Sequence, residues 1–456
     1  MSSLVGIMAM AVRALLAEQG ALDVTSNNIS NLNTPGYSRQ RPVLVQADPV
    51  IQGPLTFGNG VLLEKIESLR DPILELRIHA EEQQQSKLET LVTGMSQVEV
   101  MFSSSSGDIG DQLSKFFNSL QQLSADPTSI PLRHGVIMAA GNLTSAFQNV
   151  VHNIQQQRSN LDLNVTQSVR QVNSVTQQIA QLNVQIASME NVHQDASAFL
   201  DRRNVLIGQL SQLLDVSVIQ SDEGITLTTS NGTALVAGSR SFQLLTQADP
   251  SGFQHIFAQG ADVTASLVGG QLAGLIEMRD QRLPSTISDL DILAAGLATS
   301  FNTVHHGGYD LNGNGGGDFF VPPPAGVTGA ASSFKVQVSD PALLAASSDQ
   351  SPGSNGNLGL LLAIRNQAVA AGQSPTDYYA NLVFKVGNEV ATNSAAQDAS
   401  GLILQQLENQ RSSISGVSLD EEAGNLLRYQ RAFEAAARVV STISEVMDTA
   451  VNLGRY

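Results

Sequence analysis

The chain has 456 residues, which at roughly 150 residues per domain points to about three domains or one long composite body. Lys and Arg total 24 against 41 Asp and Glu, a net charge of −17, and charged residues are only 14% of the chain where about a quarter is usual. The absence of Cys excludes disulfides, thiolate metal sites, iron–sulfur clusters and a cysteine nucleophile, and the acidic balance without any basic run argues against nucleic acid as a partner.

The first apolar stretch, Leu4 to Ala17, is about fourteen residues long and too short to span a bilayer. No Lys or Arg precedes it and Arg13 lies inside it, which argues against a cleaved secretion signal. Leu4, Ile7, Met8, Ala11 and Leu15 fall on one helical face, so an amphipathic packing helix reaching Gly20 or a little beyond is expected. The run from Asn27 to Tyr37 is dense in turn formers, and Pro35-Gly36 marks a stop. Val43 to Ile66 reads as short strands or loop, restricted by Pro42, Pro49 and Pro54.

Asp71-Pro72 opens a second helix, with Leu88, Leu91, Val92, Met95, Val98 and Phe102 at helical spacing until Ser103 to Gly107 interrupts it. Leu113, Phe116, Phe117 and Leu120 make a short helix. Pro131 then begins the longest helical stretch, ending near Met189. In it Leu161, Val165, Ser168, Val172, Val175, Ile179, Leu182, Ile186 and Met189 form a heptad seam. A helix of about 55–60 residues is about 80–90 Å long and needs a partner along its length.

After Leu214 the pattern turns to short strands: Val216 to Ile219, Ile225 to Thr229 and Ala234 to Val236, split by Asp222-Glu223-Gly224 and by Asn231-Gly232, a two-residue hairpin turn. Helical spacing returns from Leu272 to Val304, followed by a Gly-, Asn- and Pro-rich segment and a strand-like Phe334 to Val338. Helix resumes near Thr376. The last helix starts at Ser418, with Glu421 closing a capping box. Its row is Leu419, Ala423, Leu426, Gln430, Phe433, Ala437, Val440, Ser444, Met447 and Val451.

The fold class expected is mainly α with a β insertion: a long antiparallel helical or coiled-coil stalk from both chain termini, plus a small, mostly-β central domain. The expected division is a terminal coiled-coil domain (1–45 and 415–456), a long-helix stalk (46–205, 270–305 and 375–414), a β-rich insertion (206–269) and a Gly/Pro-rich segment (306–374).

Chemistry-bearing patterns are sparse. There is no nucleophile elbow, phosphate loop or zinc-protease motif. Asp310-Leu311-Asn312-Gly313-Asn314-Gly315 resembles the first half of a calcium loop, but the twelfth position is Val321 rather than Glu, so a Gly/Asn turn is expected and no metal or cofactor is assigned. Asp201-Arg202-Arg203 reads as a local salt-bridged turn, and no catalytic residue is assigned.

The two chain ends are more specific. Ala21-Leu22, Asn28-Ile29-Ser30-Asn31 and Thr34-Pro35-Gly36-Tyr37 resemble the N-terminal motif of the bacterial flagellar axial proteins, the rod, hook and hook-associated group. Tyr37-Ser38-Arg39-Gln40, Phe199 to Asn204, Phe301 to His305 and, at the other end, Val417 to Ala423, Leu426 to Gln430 and Ala435 to Val439 resemble the hook–filament junction members of that group. The resemblance covers nearly the whole chain. It implies a non-catalytic structural adaptor: a ring of about eleven copies that joins the hook protein to hook-associated protein 3 and the filament. It further implies export to the outside of the cell without signal cleavage, a dedicated export chaperone on the C-terminal segment, and neither membrane nor nucleic acid as partner. The residues expected at the assembly interface are Leu4, Ile7, Met8, Ala11 and Leu15; Asn28, Asn31, Pro35, Gly36 and Tyr37; and Leu419, Leu426, Tyr429, Phe433, Val440 and Met447. A secreted adhesin or effector with a coiled-coil stalk is the alternative of a different class.

Overall fold

A computed structural model of the chain describes residues 2–52, 55–102, 108–192, 194–221 and 224–453. Pro54, the expected break from Ser103 to Gly107 and the Asp222-Glu223 part of an expected turn lie outside the described residues. In chain order the elements are α1 (Ser2–Ser30), β1 (Gln40–Gln46), β2 (Val50–Gln52), β3 (Leu55–Phe57), β4 (Val61–Ser68), α2 (Pro72–Phe102), α3 (Ile109–Ala125), α4 (Ile130–Asn191), α5 (Ser197–Leu213), β5 (Ser217–Ser221), β6 (Gly224–Thr228), β7 (Ala234–Ala237), β8 (Arg240–Ser241), β9 (Leu244–Ala248), β10 (Gln254–Ala258), β11 (Ala261–Asp262), α6 (Gly270–Glu277), a π turn (Met278–Arg282), α7 (Leu283–His306), α8 (Ala330–Ser333), α9 (Gly356–Ala363), α10 (Pro375–Ser415) and α11 (Leu419–Leu453). The chain is thus mainly helical, with long helices at both ends and short antiparallel strands between, as the periodicity predicts.

The residues divide into two units: 1–83, 172–243 and 401–456 in one, 84–171 and 244–400 in the other. In the first, α1 packs on α11, β1 and β4. α1 runs well past Gly20 to Ser30, 29 residues in all. The fourteen-residue apolar reading is therefore too short: Leu4–Ser30 is long and apolar enough, by length and composition, to cross a membrane. Part of that apolarity is used inside the protein, because Ala11, Ala17, Ala21 and Val24 are buried. Gly20 sits mid-helix because α1 approaches β4 so closely that a Cβ there would lie 2.6 Å from Leu63 Cδ2.

β1 and β4 pair antiparallel with a register shift at Val43/Leu44, and Pro42 is tolerated because the ribbon has only two strands. β2 and β3 form a separate hairpin. The β5-β6-β7-β8 sheet follows the expected strands, but the Asn231-Gly232 link is longer than two residues, since β6 ends at Thr228 and β7 begins at Ala234. The reason is local: Asn231 Oδ1 accepts from the amide and hydroxyl of Thr233 at 3.1 and 2.8 Å, which builds an Asx turn. Leu74 and Ile78 of α2 and Leu407 of α10 form a small buried cluster.

The second unit is built on an aromatic core. Phe116, Phe301, Phe319 and Phe320 pack with ring centroids 4.7–6.3 Å apart. Asn302 holds the 319–320 backbone, accepting from both amides at 3.0 and 2.9 Å and donating to the Phe320 carbonyl at 2.8 Å. Its β9–β11 strands form their own three-stranded sheet. Phe334 to Val338 is no strand; a single bridge joins Val336 to Phe320, and Phe334 instead packs edge-on against Phe147 at 5.4 Å. Along α4 the buried row is Leu161, Val165, Ser168, Val172, Thr176, Ile179, Leu182 and Ile186, so Thr176 replaces the expected Val175.

Candidate functional site

The residues that gave the strongest signal come together in the first unit, at the C-terminal end of α1. Asn31 ends the helix, its side-chain amide donating to the Asn27 carbonyl at 3.0 Å and its Oδ1 accepting from the Thr34 hydroxyl at 3.1 Å. Thr34-Pro35-Gly36-Tyr37 then makes a type II turn: the Tyr37 amide donates to the Thr34 carbonyl at 3.2 Å, Pro35 holds the first corner and Gly36 has φ +77°. Gly36 is required twice over, because a Cβ there would also collide with Val205. Pro35 itself is exposed.

The turn folds the chain back onto Asn28, which is 1% exposed. Asn28 Oδ1 accepts from the Gln40 amide at 2.9 Å and from the Tyr37 hydroxyl at 2.8 Å. Its Nδ2 donates to the Gln40 carbonyl at 2.9 Å and to Glu422 Oε2 at 3.1 Å. Both donors and both acceptor sites of the side chain are filled. Asp would lack the donors and Gln would project too far, which is the physical content of the Asn-Ile-Ser-Asn signature. Burial first, and then the nearby Glu422 and Asp195 carboxylates, push the Tyr37 hydroxyl up to about 12, so it stays protonated and donating.

Glu422 lies in the first turn of α11, and its side chain is 2% exposed. Arg39 Nε donates to Glu422 Oε1 at 2.7 Å and Arg39 Nη1 to Glu421 Oε2 at 2.6 Å. Glu421, expected to close a capping box on Ser418, is bonded to Arg39 instead. The Arg39 amide also donates to the Ser415 carbonyl at 2.9 Å, at the end of α10. With residue 28 beside residue 422, and Glu18 of α1 in the field of Arg428 of α11, the two helices run antiparallel. Burial raises the Glu18 carboxyl above its usual range, and Arg428 partly opposes this.

A second arm reaches α5. Asp201 accepts from the Ser38 amide at 3.3 Å and pairs with Arg70, whose Nε donates to the Ser38 hydroxyl at 2.9 Å. Burial pulls the Arg70 guanidinium down to about 10, still charged at neutral pH. The expected local turn at Asp201-Arg202-Arg203 is thus a long-range tie from the second turn of a helix. Sequence reasoning assigned no individual role to Arg39, Arg70 or Glu422, and gave Asp201 only a local one. Arg39 and Glu422 lie inside the two signature stretches, and that adjacency is the signal that could have paired them.

The expected helix-face residues are placed unevenly. Ala11 is buried, and Leu4, Met8 and Leu15 are half-buried, whereas Ile7 is 42% exposed. On α11, Leu426, Tyr429, Phe433, Val440 and Met447 are half-buried, while Leu419 is 53% exposed. The less exposed row is Glu422, Leu426, Tyr429, Phe433, Ala436, Val440, Ile443 and Met447. Ala437 of the expected row is half-buried as well, and the expected row fails at Leu419, Ala423, Gln430, Ser444 and Val451, which are exposed. The Asp310 loop is a turn held by Asp310 Oδ1, which accepts from the amides of Asn312 and Asn314 at 2.8 and 2.9 Å. Among the described residues no group of three or more His, Asp or Glu is placed to hold a metal ion.

Three family models match successive parts of the chain: flagella basal body rod protein over residues 8–37, flagellar hook-associated protein FlgK helical domain over 95–320, and flagellar basal body rod FlgEFG protein C-terminal over 408–453. The chain is 29% identical to flagellar hook-associated protein 1 of Escherichia coli over 539 aligned positions, covering 97% of this chain and 98% of that one. It is 29% identical to the Bacillus subtilis protein of the same name over 504 positions, covering 96% of each. Both alignments are longer than 456 residues, so these relatives carry segments that this chain lacks. The solved structure of the flagellar hook junction protein FlgK from Burkholderia pseudomallei shares the fold, with a TM-score of 0.68 at 19% identity over 74% of this chain and all of that one.

Proposed function

We propose that this chain is a member of the flagellar hook-associated protein family represented by FlgK, and a structural adaptor of the hook–filament junction, outside the cell. In this reading copies form a ring that joins the hook protein on one side to hook-associated protein 3 and the filament on the other. A dedicated export chaperone would hold the C-terminal segment before assembly.

The observation that carries the reading is the pairing of the two chain ends. The Asn28–Arg39–Glu422 clasp locks α1 against α11 in antiparallel fashion, yet the pair buries only part of its apolar surface. Val5, Val12 and Leu16 on α1 are 58%, 40% and 59% exposed, and Leu427, Val439 and Val446 on α11 are 56%, 46% and 45% exposed. Apolar stripes on both partners of a helix pair suit packing against further copies. The low charge content has the same consequence, since few ion pairs must be desolvated when helices from many copies meet.

A strain lacking the gene tests the role: the expected result is loss of attached filaments with unpolymerised filament protein in the medium. Intact motility with lost surface adhesion would overturn it. Leu426→Asp combined with Phe433→Asp should abolish ring assembly while leaving the β5–β8 sheet folded, and normal filament attachment in that variant would overturn the assignment of the helix pair.

A further inference from the structure

Asn-Gly occurs five times in the chain. The pair invites a self-reaction, because Gly carries no Cβ to keep its amide nitrogen off the preceding side chain. The five sites differ in what already occupies the reacting groups. The Gly232 amide donates to the Thr229 carbonyl at 2.9 Å and the Gly313 amide to the Asp310 carbonyl at 3.2 Å. Asn355 donates its side-chain amide to the Ser124 carbonyl at 3.0 Å, and Asn314 turns its own towards the Asp310 carboxylate. Asn59-Gly60, between β3 and β4, is different. The Gly60 carbonyl accepts from the Ala47 amide at 2.9 Å, but among the described residues neither the Gly60 amide nor Asn59 Nδ2 has a partner. Asn59 Oδ1 accepts from Arg13 Nη2 of α1; a guanidinium only donates, so the oxygen is fixed towards it and the nitrogen is left free. Arg13 Nε is buried with no partner.

We propose that Asn59 is a self-modification site, converted to aspartate in the folded chain with Arg13 as the assisting group. The Gly60 nitrogen bonds to Asn59 Cγ and gives its proton to water, while the oxygen that becomes anionic is already held by Arg13 Nη2. The Cγ–Nδ2 bond then breaks and the nitrogen leaves as ammonia, taking up a proton from water, which closes a five-membered imide. Water opens the imide, so the balance is one water in and one ammonia out, with no change of oxidation state. Opening at Cγ, the carbonyl that Arg13 polarises, gives aspartate; opening at the backbone carbonyl gives the isoaspartyl isomer. The product suits its surroundings better than the parent amide. A carboxylate offers two oxygens to the Nε–Nη2 edge of the guanidinium, where a carboxamide offers one oxygen and a competing donor. The orphaned Nε is then satisfied, and α1 is tied to the β3–β4 turn across 46 positions by an ion pair.

The full-length chain, incubated folded at neutral pH and followed by peptide mass spectrometry, tests this. Conversion at Asn59 should run at least about fivefold faster than at Asn231 or Asn312, and the three should agree within about twofold in urea, where Arg13 is no longer held beside the site. The ratio of aspartate to isoaspartate at this position should also be higher in the folded chain. Arg13→Met should remove the folded-state excess. Arg13→Lys, which keeps a charge without the planar fork, should retain part of it, so that a variant that merely unfolds is not mistaken for support. No excess at Asn59 in the folded chain overturns the proposal, as does an excess that persists in urea or in Arg13→Met. Asn59→Asp should slow hydrogen exchange of the α1 amides around Arg13 relative to freshly purified parent, and unchanged exchange would overturn the ion pair. None of these readouts depends on assembly, so the adaptor reading stands or falls separately.

Discussion

Arg39 Nε lies 2.7 Å from Glu422 Oε1, a pair formed across 383 positions of sequence. The carboxylate is 2% exposed and the guanidinium side 21%, so water screens the pair little on the Glu side. Removing one partner of such a pair leaves a buried charge uncompensated. Arg39→Met should therefore destabilise the α1–α11 pair by about 2–3 kcal/mol, at or below the low end for a fully buried pair. Hydrogen exchange of the α1 amides is the measurement, and protection equal to the parent's would show that the pair does not hold α1. Adding Glu422→Gln should recover part of the loss, because the uncompensated charge is then gone.

Asn28 gives a sharper test, since its side chain makes four hydrogen bonds. Asn28→Ala strands the Gln40 amide and carbonyl and should cost about 2–3 kcal/mol. Asn28→Asp keeps the acceptor for Gln40 and Tyr37 but sets a second carboxylate against Glu422 Oε2, 3.1 Å from the present amide. It should be worse than Ala at pH 7 and partly recover towards pH 5. Thermal unfolding of the two variants at both pH values checks this, and equal losses at pH 7 would contradict it.

Gly36→Ala should cost about 2 kcal/mol or more, through both the positive φ of +77° and the collision with Val205. Pro35→Ala, at an exposed corner of the same turn, should cost under about 1 kcal/mol. Denaturant unfolding of the two variants separates a turn that needs Gly for conformation and space from one that merely prefers a Pro-Gly pair.

His305 is expected to make the second unit acid-sensitive. Its Nδ1–H donates to the Gly317 carbonyl at 2.7 Å and its Nε2 accepts from the Ala345 amide at 2.9 Å, so the ring is neutral as bound. Burial, only partly opposed by the Gly317 bond, pulls it down to about 4 from an ordinary 6.5. The unfolded chain binds the proton first, so this contribution is complete above pH 6.5 and is lost as pH falls towards 4. Full loss amounts to about 3 kcal/mol. Unfolding of the full chain between pH 7 and pH 4.5 should show a steeper decline than that of His305→Gln, which cannot titrate. Parallel curves would remove His305 from the account.

Val327 has φ +62°, a strained conformation for a β-branched residue, and is 40% exposed in the loop after Pro322-Pro323-Pro324. Val327→Gly should stabilise the second unit by about 0.5–1 kcal/mol, net of the added freedom of the unfolded chain. A lower melting temperature for this variant would show that the Val side chain supports the loop by packing.

The element types were legible because each depends on neighbours three or four positions away. Leu161 through Ile186 announces a helix with a buried row, and the row is there, with Thr176 in place of Val175. Pro35-Gly36 announces a turn, and the turn type follows from those two residues alone. The phase of α11 was harder to read. Alternation by three and four fits two adjacent faces when Ala432, Ala435, Ala436 and Ala437 populate both, and the face that packs is chosen by α1. Leu419 reads as the first position of the seam but stays exposed, while the charged Glu422 is buried because Arg39 and Asn28 meet it there.

The sequence by itself determined the helical ends, the β stretches between them, the stop after α1 and the flagellar axial signature, because hydrophobic period, Pro-Gly chemistry and short motifs are all written in consecutive residues. Only the tertiary structure decided that Arg39 belongs to Glu422 and Arg70 to Asp201, that Asn28 is the hub, and which stripe of α11 turns inward. Those pairings need a register between segments hundreds of positions apart. A charge in one segment carries no mark of its partner in another until folding has excluded the water between them.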